Sequence, residues 1–129
     1  MSQAVFLSVN DVLEIHRRVI EAFGGYAGLR DRGLLESAIA MPRSTFDGTE
    51  LHAGLAQKAA AYHFHLCANH PFVDGNKRVA VAAAELFVMV NGRELTASDD
   101  ELVELTMGVA RGRLSKATVV EFFEKHVKM

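Results

Sequence analysis

Apolar residues recur at intervals of three and four along most of the chain, and polar or turn-forming residues fall where helix ends would place them. Val12, Ile15, His16, Val19, Ile20 and Phe23 form one such stripe, the spacing of a single helical face. Ser8-Val9-Asn10-Asp11 ahead of it has the form of a capping box, and Gly24-Gly25 stops it. Asp31 can cap a short second helix through Leu34, Leu35, Ala38 and Ile39. Pro42 ends that helix, since the residue before a proline is pushed out of helical geometry. Residues 43–50 break the rhythm and carry an Asp-Gly turn signal, which predicts a loop or small hairpin.

A third helix is predicted from Leu51 to Asn69, with Leu55, Ala59, Tyr62 and Leu66 in one stripe. Val79 to Asn91 is apolar nearly all round, with Ala80, Ala82, Ala83 and Ala84 where a surface helix would be polar. That is the pattern of a helix buried at the centre of its domain, and Asn91-Gly92 supplies its C-terminal cap. Ser98 and Glu101 make a second capping box ahead of Leu102, Leu105 and Val109, with Gly112 as the stop. A last helix runs from Lys116 to His126 and turns Val119, Phe122, Phe123 and Val127 inward. No segment alternates convincingly as a strand, and there is no repeat. The expected fold is therefore all-α, a bundle of about six helices around Val79–Asn91 with a small flap loop or hairpin, in one domain over residues 1–129.

Composition adds bounds. In 129 residues, half are apolar and 23% charged, and 14 basic against 16 acidic residues leave a net charge of −2. Nothing here recommends a nucleic acid or an acidic membrane as a direct partner. The longest apolar run is interrupted by Glu85 and is too short to span a bilayer. The single cysteine, Cys67, excludes an internal disulfide and is expected to be buried and inert. With no signal-peptide pattern at the N-terminus, a cytoplasmic protein is expected.

One stretch concentrates the chemistry: His70-Pro71-Phe72-Val73-Asp74-Gly75-Asn76-Lys77-Arg78. Placed between two helices, its second half lies at a helix N-terminus, where free N–H groups and the dipole favour phosphate. An imidazole free of neighbours has a pKa of ~6.5, so His70 can take a proton from an attacking hydroxyl; its alternative role is to cap the preceding helix. Asp74 suits Mg²⁺, which binds through one or two carboxylates plus phosphate oxygens, or else it caps the following helix. Gly75 and Asn76 offer a nest of N–H groups. Lys77 and Arg78 would neutralise phosphate, and without an anion their charges oppose the helix dipole. Phe72 reads as support from the core beneath His70. Arg43, Ser44, Thr45 and Phe46, in the segment before the third helix, are flap candidates. A rival reading groups His52, His63, His65, His70 and Asp74 as a zinc site. Helix positions two apart face different ways, so His63 and His65 do not easily share an ion.

These nine residues resemble the signature of the Fic/Doc family, His-x-Phe-x-Asp/Glu-Gly/Ala-Asn-Gly/Lys-Arg, at every specified position. The resemblance extends to the Arg30-Asp31 turn with its Leu-Leu-Glu-Ser helix, and it implies the compact helical Fic fold. Lys77, where the adenylyltransferase branch usually has Gly, and Val81, where that branch has a second Arg, resemble the Doc, or death-on-curing, toxins of type II toxin-antitoxin systems. What that branch implies is a kinase: the γ-phosphate of ATP passes to a hydroxyl of a protein target, elongation factor Tu, and translation is blocked. In these roles His70 is the base, Asp74 holds Mg²⁺, and Gly75, Asn76, Lys77 and Arg78 hold the phosphates. The family also implies a small antitoxin whose disordered tail folds over the groove of the toxin. Protein adenylylation and a catalytically weak antitoxin-binding module remain the alternatives.

Overall fold

A computed structural model describes residues 3–129 of the chain. Among these, six α-helices make up the fold: α1 (Val9–Phe23), α2 (Arg32–Ala40), α3 (Leu55–Asn69), α4 (Asn76–Val90), α5 (Asp99–Ala110) and α6 (Lys116–His126). None of them is long and apolar enough to cross a membrane. The local signals act as expected at most ends. Ser8 and Asp11 exchange side-chain-to-backbone hydrogen bonds at the start of α1, as Ser98 and Glu101 do at the start of α5, and Asp31 caps α2 by accepting from the Leu34 N–H at 2.9 Å. Each such cap contributes about 1 kcal/mol.

The helices α3 and α4 share the centre. α3 packs on α2, α4, α5 and α6 and buries every residue from Lys58 to Cys67 except Phe64 and His65. α4 buries Val79, Ala80, Ala83, Ala84, Phe87 and Val88 against it, and the alanines on both helices permit the close approach. α4 is less enclosed than its all-apolar sequence suggests, because Val81 and Ala82 line an open groove and Met89 is exposed.

Several expectations are corrected. α3 begins at Leu55: Leu51 is still tied to the preceding hairpin, its N–H donating to the Ser44 carbonyl, and Gly54 is the N-cap. α4 begins three residues before Val79, because Gly75 at φ 82° turns the chain directly into the helix. Phe23 ends α1 pointing outward, 63% exposed. Four two-residue strands also occur. β1 (Thr45–Phe46) and β2 (Thr49–Glu50) form the hairpin foreseen as one option, while β3 (Glu94–Leu95) and β4 (Val127–Lys128) pair to clasp the end of α6 to the turn after α4. Two residues are too few to show alternation.

Candidate active site

The motif loop between α3 and α4 is zipped onto the loop between α1 and α2. Leu29 and Phe72 form an antiparallel bridge, Val73 N–H donates to Gly28 O at 2.8 Å, and the N–H groups of Arg30 and Asp31 donate to Pro71 O at 2.8 and 3.0 Å. A Cβ on Gly28 would lie 2.7 Å from Val73 Cγ2, so a side chain there would have to push the Val73 side chain aside.

His70 is the C-cap residue of α3, in the left-handed conformation at φ 47°, ψ 56°. A non-glycine residue there costs about 1–2 kcal/mol. Its backbone closes α3, as the capping reading of this residue expects, and the residue is exposed. Phe72 is 2% exposed and stacks on the His16 ring, centroids 3.8 Å apart. His16 in turn donates from Nε2 to the Asp74 carbonyl at 2.9 Å. In the sequence His16 reads only as a core position; a polar ring on an apolar stripe is the one local sign of its role.

Asp74 is not a helix cap, since Gly75 holds that position. Its carboxylate lies across the backbone of both loops, Oδ1 accepting from Gly75 N–H at 3.0 Å and Oδ2 from Tyr26 N–H at 3.3 Å. Each oxygen keeps a lone pair, and the residue is exposed. That suits a hard cation shared with phosphate oxygens and water, and no group of three or more potential ligands among the described residues offers a full protein cage. The Asn76 side chain is turned into the loop, accepting from Phe72 N–H and donating to Phe72 O, both at 2.9 Å. What Asn76 can offer an anion is its backbone N–H. No side chain caps the N-terminus of α4, and Lys77 and Arg78 are exposed, without a carboxylate partner among the described residues. The Arg78 guanidinium rests on the Phe23 ring, 4.3 Å from its centroid, which explains the outward turn of Phe23.

Beyond Lys77 and Arg78 a groove of about 450 Å³ runs between α1, α4 and α5, walled by Phe23, Val81, Leu102, Val103 and Met107. Its far end is acidic: Glu85, whose pKa is raised by burial and by the Asp99 charge, faces this groove with Asp99.

The flap candidates lie elsewhere. Arg43 sits over the Phe6 ring at 4.6 Å, Ser44 Oγ donates to Ala40 O, and Thr45 and Phe46 form the exposed β1. The hairpin is anchored by Glu50, 3.2 Å from the buried Lys58 ammonium in the first turn of α3. From Lys58 to His70 the helix rises about 18 Å, so the structure does not bring these four residues together with His70. The histidine cluster is also dispersed. His63 is buried and donates from Nε2 to Thr106 Oγ1 at 2.9 Å, while His52 and His65 lie toward Lys116. Cys67 is buried, and burial pushes its thiol pKa up, away from reactivity.

Residues 6–88 match the sequence profile of the Fic/DOC family. Over 79 residues the chain is 48% identical to "Toxin Doc" of Mycolicibacterium smegmatis, an alignment covering 61% of each protein. Over 115 residues it is 31% identical to "Protein kinase doc" of Escherichia phage P1, covering 89% of this chain and 90% of that one. The chain thus spans about three fifths of the first relative and nearly all of the second.

Proposed function

The chain belongs to the Fic/DOC family, and from that premise we propose that it is a Doc-like toxin that transfers the γ-phosphate of ATP to a hydroxyl of a protein target, with elongation factor Tu as the target. The observation that carries phosphate transfer over adenylylation is the pair Lys77 and Val81. Where the adenylylating branch has a second arginine, Val81 forms part of an apolar wall with Phe23 and Leu102, so the phosphate-binding charge is confined to the first turn of α4. The name carried by the phage relative, "Protein kinase doc", agrees with this reading.

In the proposed mechanism the backbone N–H groups at the start of α4, with Lys77 and Arg78, hold the phosphate chain and offset the charge that develops on it. His70, exposed at the end of α3, takes the proton from the target hydroxyl as it attacks. Asp74 would hold Mg²⁺, which supplies charge neutralisation of phosphate oxygens when bound. The loop zipped to residues 28–31 fixes the base relative to the cradle, so that little ordering remains for the encounter. A cognate antitoxin would lay an apolar, disordered tail into the groove between α1, α4 and α5, where Phe23 and Val103 are 63% and 60% exposed. The protein would act in the cytoplasm, without direct contact to nucleic acid or membrane.

Incubation with γ-labelled ATP, Mg²⁺ and elongation factor Tu is expected to label the factor, and His70→Ala to abolish the label. Label from α-labelled ATP would replace this reading with adenylylation. Expression without antitoxin is expected to arrest growth; harmless expression, unchanged by His70→Ala, would leave a binding module instead.

A further inference from the structure

Arg30 lies outside the nine-residue motif, yet it is the side chain that grips the motif's first residue. Its Nε donates to the His70 carbonyl at 2.7 Å and its Nη2 to the Asn69 carbonyl at 2.8 Å. These are two of the carbonyls that the end of α3 leaves without a helical partner, and the guanidinium brings positive charge to the negative end of the helix dipole. A helix usually closes into the left-handed region through a glycine. Here the left-handed residue is His70 itself, φ 47°, and the planar fork of Arg30 spans two successive carbonyls in a way that a lysine point charge cannot.

Arg30 is exposed, so its removal takes nothing from the core. Its own backbone is fixed independently, through its N–H to Pro71 O and the Leu29–Phe72 bridge, and Asp31 beside it caps α2. The side chain thus acts from a rigid base on one thing, the backbone from which the imidazole projects. The phosphate cradle at Gly75 to Arg78 is held by other groups, Asn76 on Phe72 and His16 on Asp74.

We propose that Arg30 is a positioning residue for His70: its two hydrogen bonds hold the left-handed backbone that aims the imidazole at the acceptor hydroxyl, without contributing to nucleotide binding. The proposal rests on the reading of His70 as the base of a transfer reaction.

The experiment compares wild type, Arg30→Ala and Arg30→Lys in three measurements: Mg²⁺–ADP affinity, transfer rate to elongation factor Tu from γ-labelled ATP, and the His70 ring resonances by NMR. The expected result for Arg30→Ala is unchanged ADP affinity, a transfer rate lower by about 100-fold, and moved or doubled His70 resonances. Arg30→Lys is expected to fall between, and free guanidinium below denaturing concentration to restore part of the Arg30→Ala rate but none of that of His70→Ala. An unchanged rate or unchanged His70 resonances would overturn the proposal, as would an equal loss of ADP affinity and rate. If the wild type transfers nothing to any acceptor, the functional reading fails, and the His70 resonances alone decide whether Arg30 holds that backbone.

Discussion

The imidazole of His16 lies flat on the ring of Phe72, 7° from parallel with centroids 3.8 Å apart, while its Nε2 reaches the carbonyl of Asp74. One side chain from α1 thus fixes two residues of the motif loop. His16→Leu removes the stack and leaves the Asp74 carbonyl without its donor, with an expected loss of about 2–3 kcal/mol in urea denaturation. His16→Phe keeps an aromatic face and forfeits only the hydrogen bond, for about 1–2 kcal/mol. Equal losses for the two would show that the hydrogen bond, not the stack, carries the effect.

His70→Gly is expected to stabilise the fold while abolishing any transfer reaction. The left-handed backbone at this position is strained for histidine and open to glycine, so a gain of about 1 kcal/mol follows. The midpoint and slope of a urea titration measure it, and a midpoint below wild type would contradict the account of strain.

Gly24 and Gly25 separate backbone strain from a contact. Both have positive φ, 84° and 116°, but a Cβ on Gly24 meets nothing within 4 Å, whereas one on Gly25 would lie 2.7 Å from Asp74 Oδ2. Either alanine substitution is expected to destabilise by about 1 kcal/mol or more. Only Gly25→Ala displaces the carboxylate, so only it is expected to weaken Mg²⁺-dependent ADP binding, read by calorimetry with and without the metal.

Burial lowers the pKa of both His63 and His65 from 6.5 to about 4. Between those values the unfolded chain binds more protons than the folded one, so the stabilising effect of keeping both rings neutral is complete above pH 6.5. It is lost as pH falls toward 4. Urea denaturation across that window is expected to show stability falling with acidity, and His65→Gln to flatten the slope. A slope untouched by His65→Gln would place the linkage elsewhere.

Much of this was legible in the chain. The capping boxes at Ser8 and Ser98 and the helix periodicity gave the all-α architecture, and the placement of Gly75 to Arg78 at a helix N-terminus followed from the apolar run behind them. What stayed hidden depends on long-range contact. The outward turn of Phe23 answers to Arg78, the late start of α3 to a hairpin bond between Leu51 and Ser44, and the role of His16 to a carbonyl 58 residues away. Asn76 reads in sequence as one N–H of a phosphate nest, and nothing local shows that its side chain bonds both the N–H and the carbonyl of Phe72.

His70 sits at the end of the helix that touches most of the molecule. α3 packs on four other helices, so its amides should be among the slowest to exchange with deuterated solvent, opening only when the whole fold does. The hairpin β1–β2, held by few bonds and exposed throughout, should exchange fast. The candidate base therefore stands on a helix rooted in the core, and only the last turn beneath it, held by the Arg30 hydrogen bonds, is free to move while the fold stays closed.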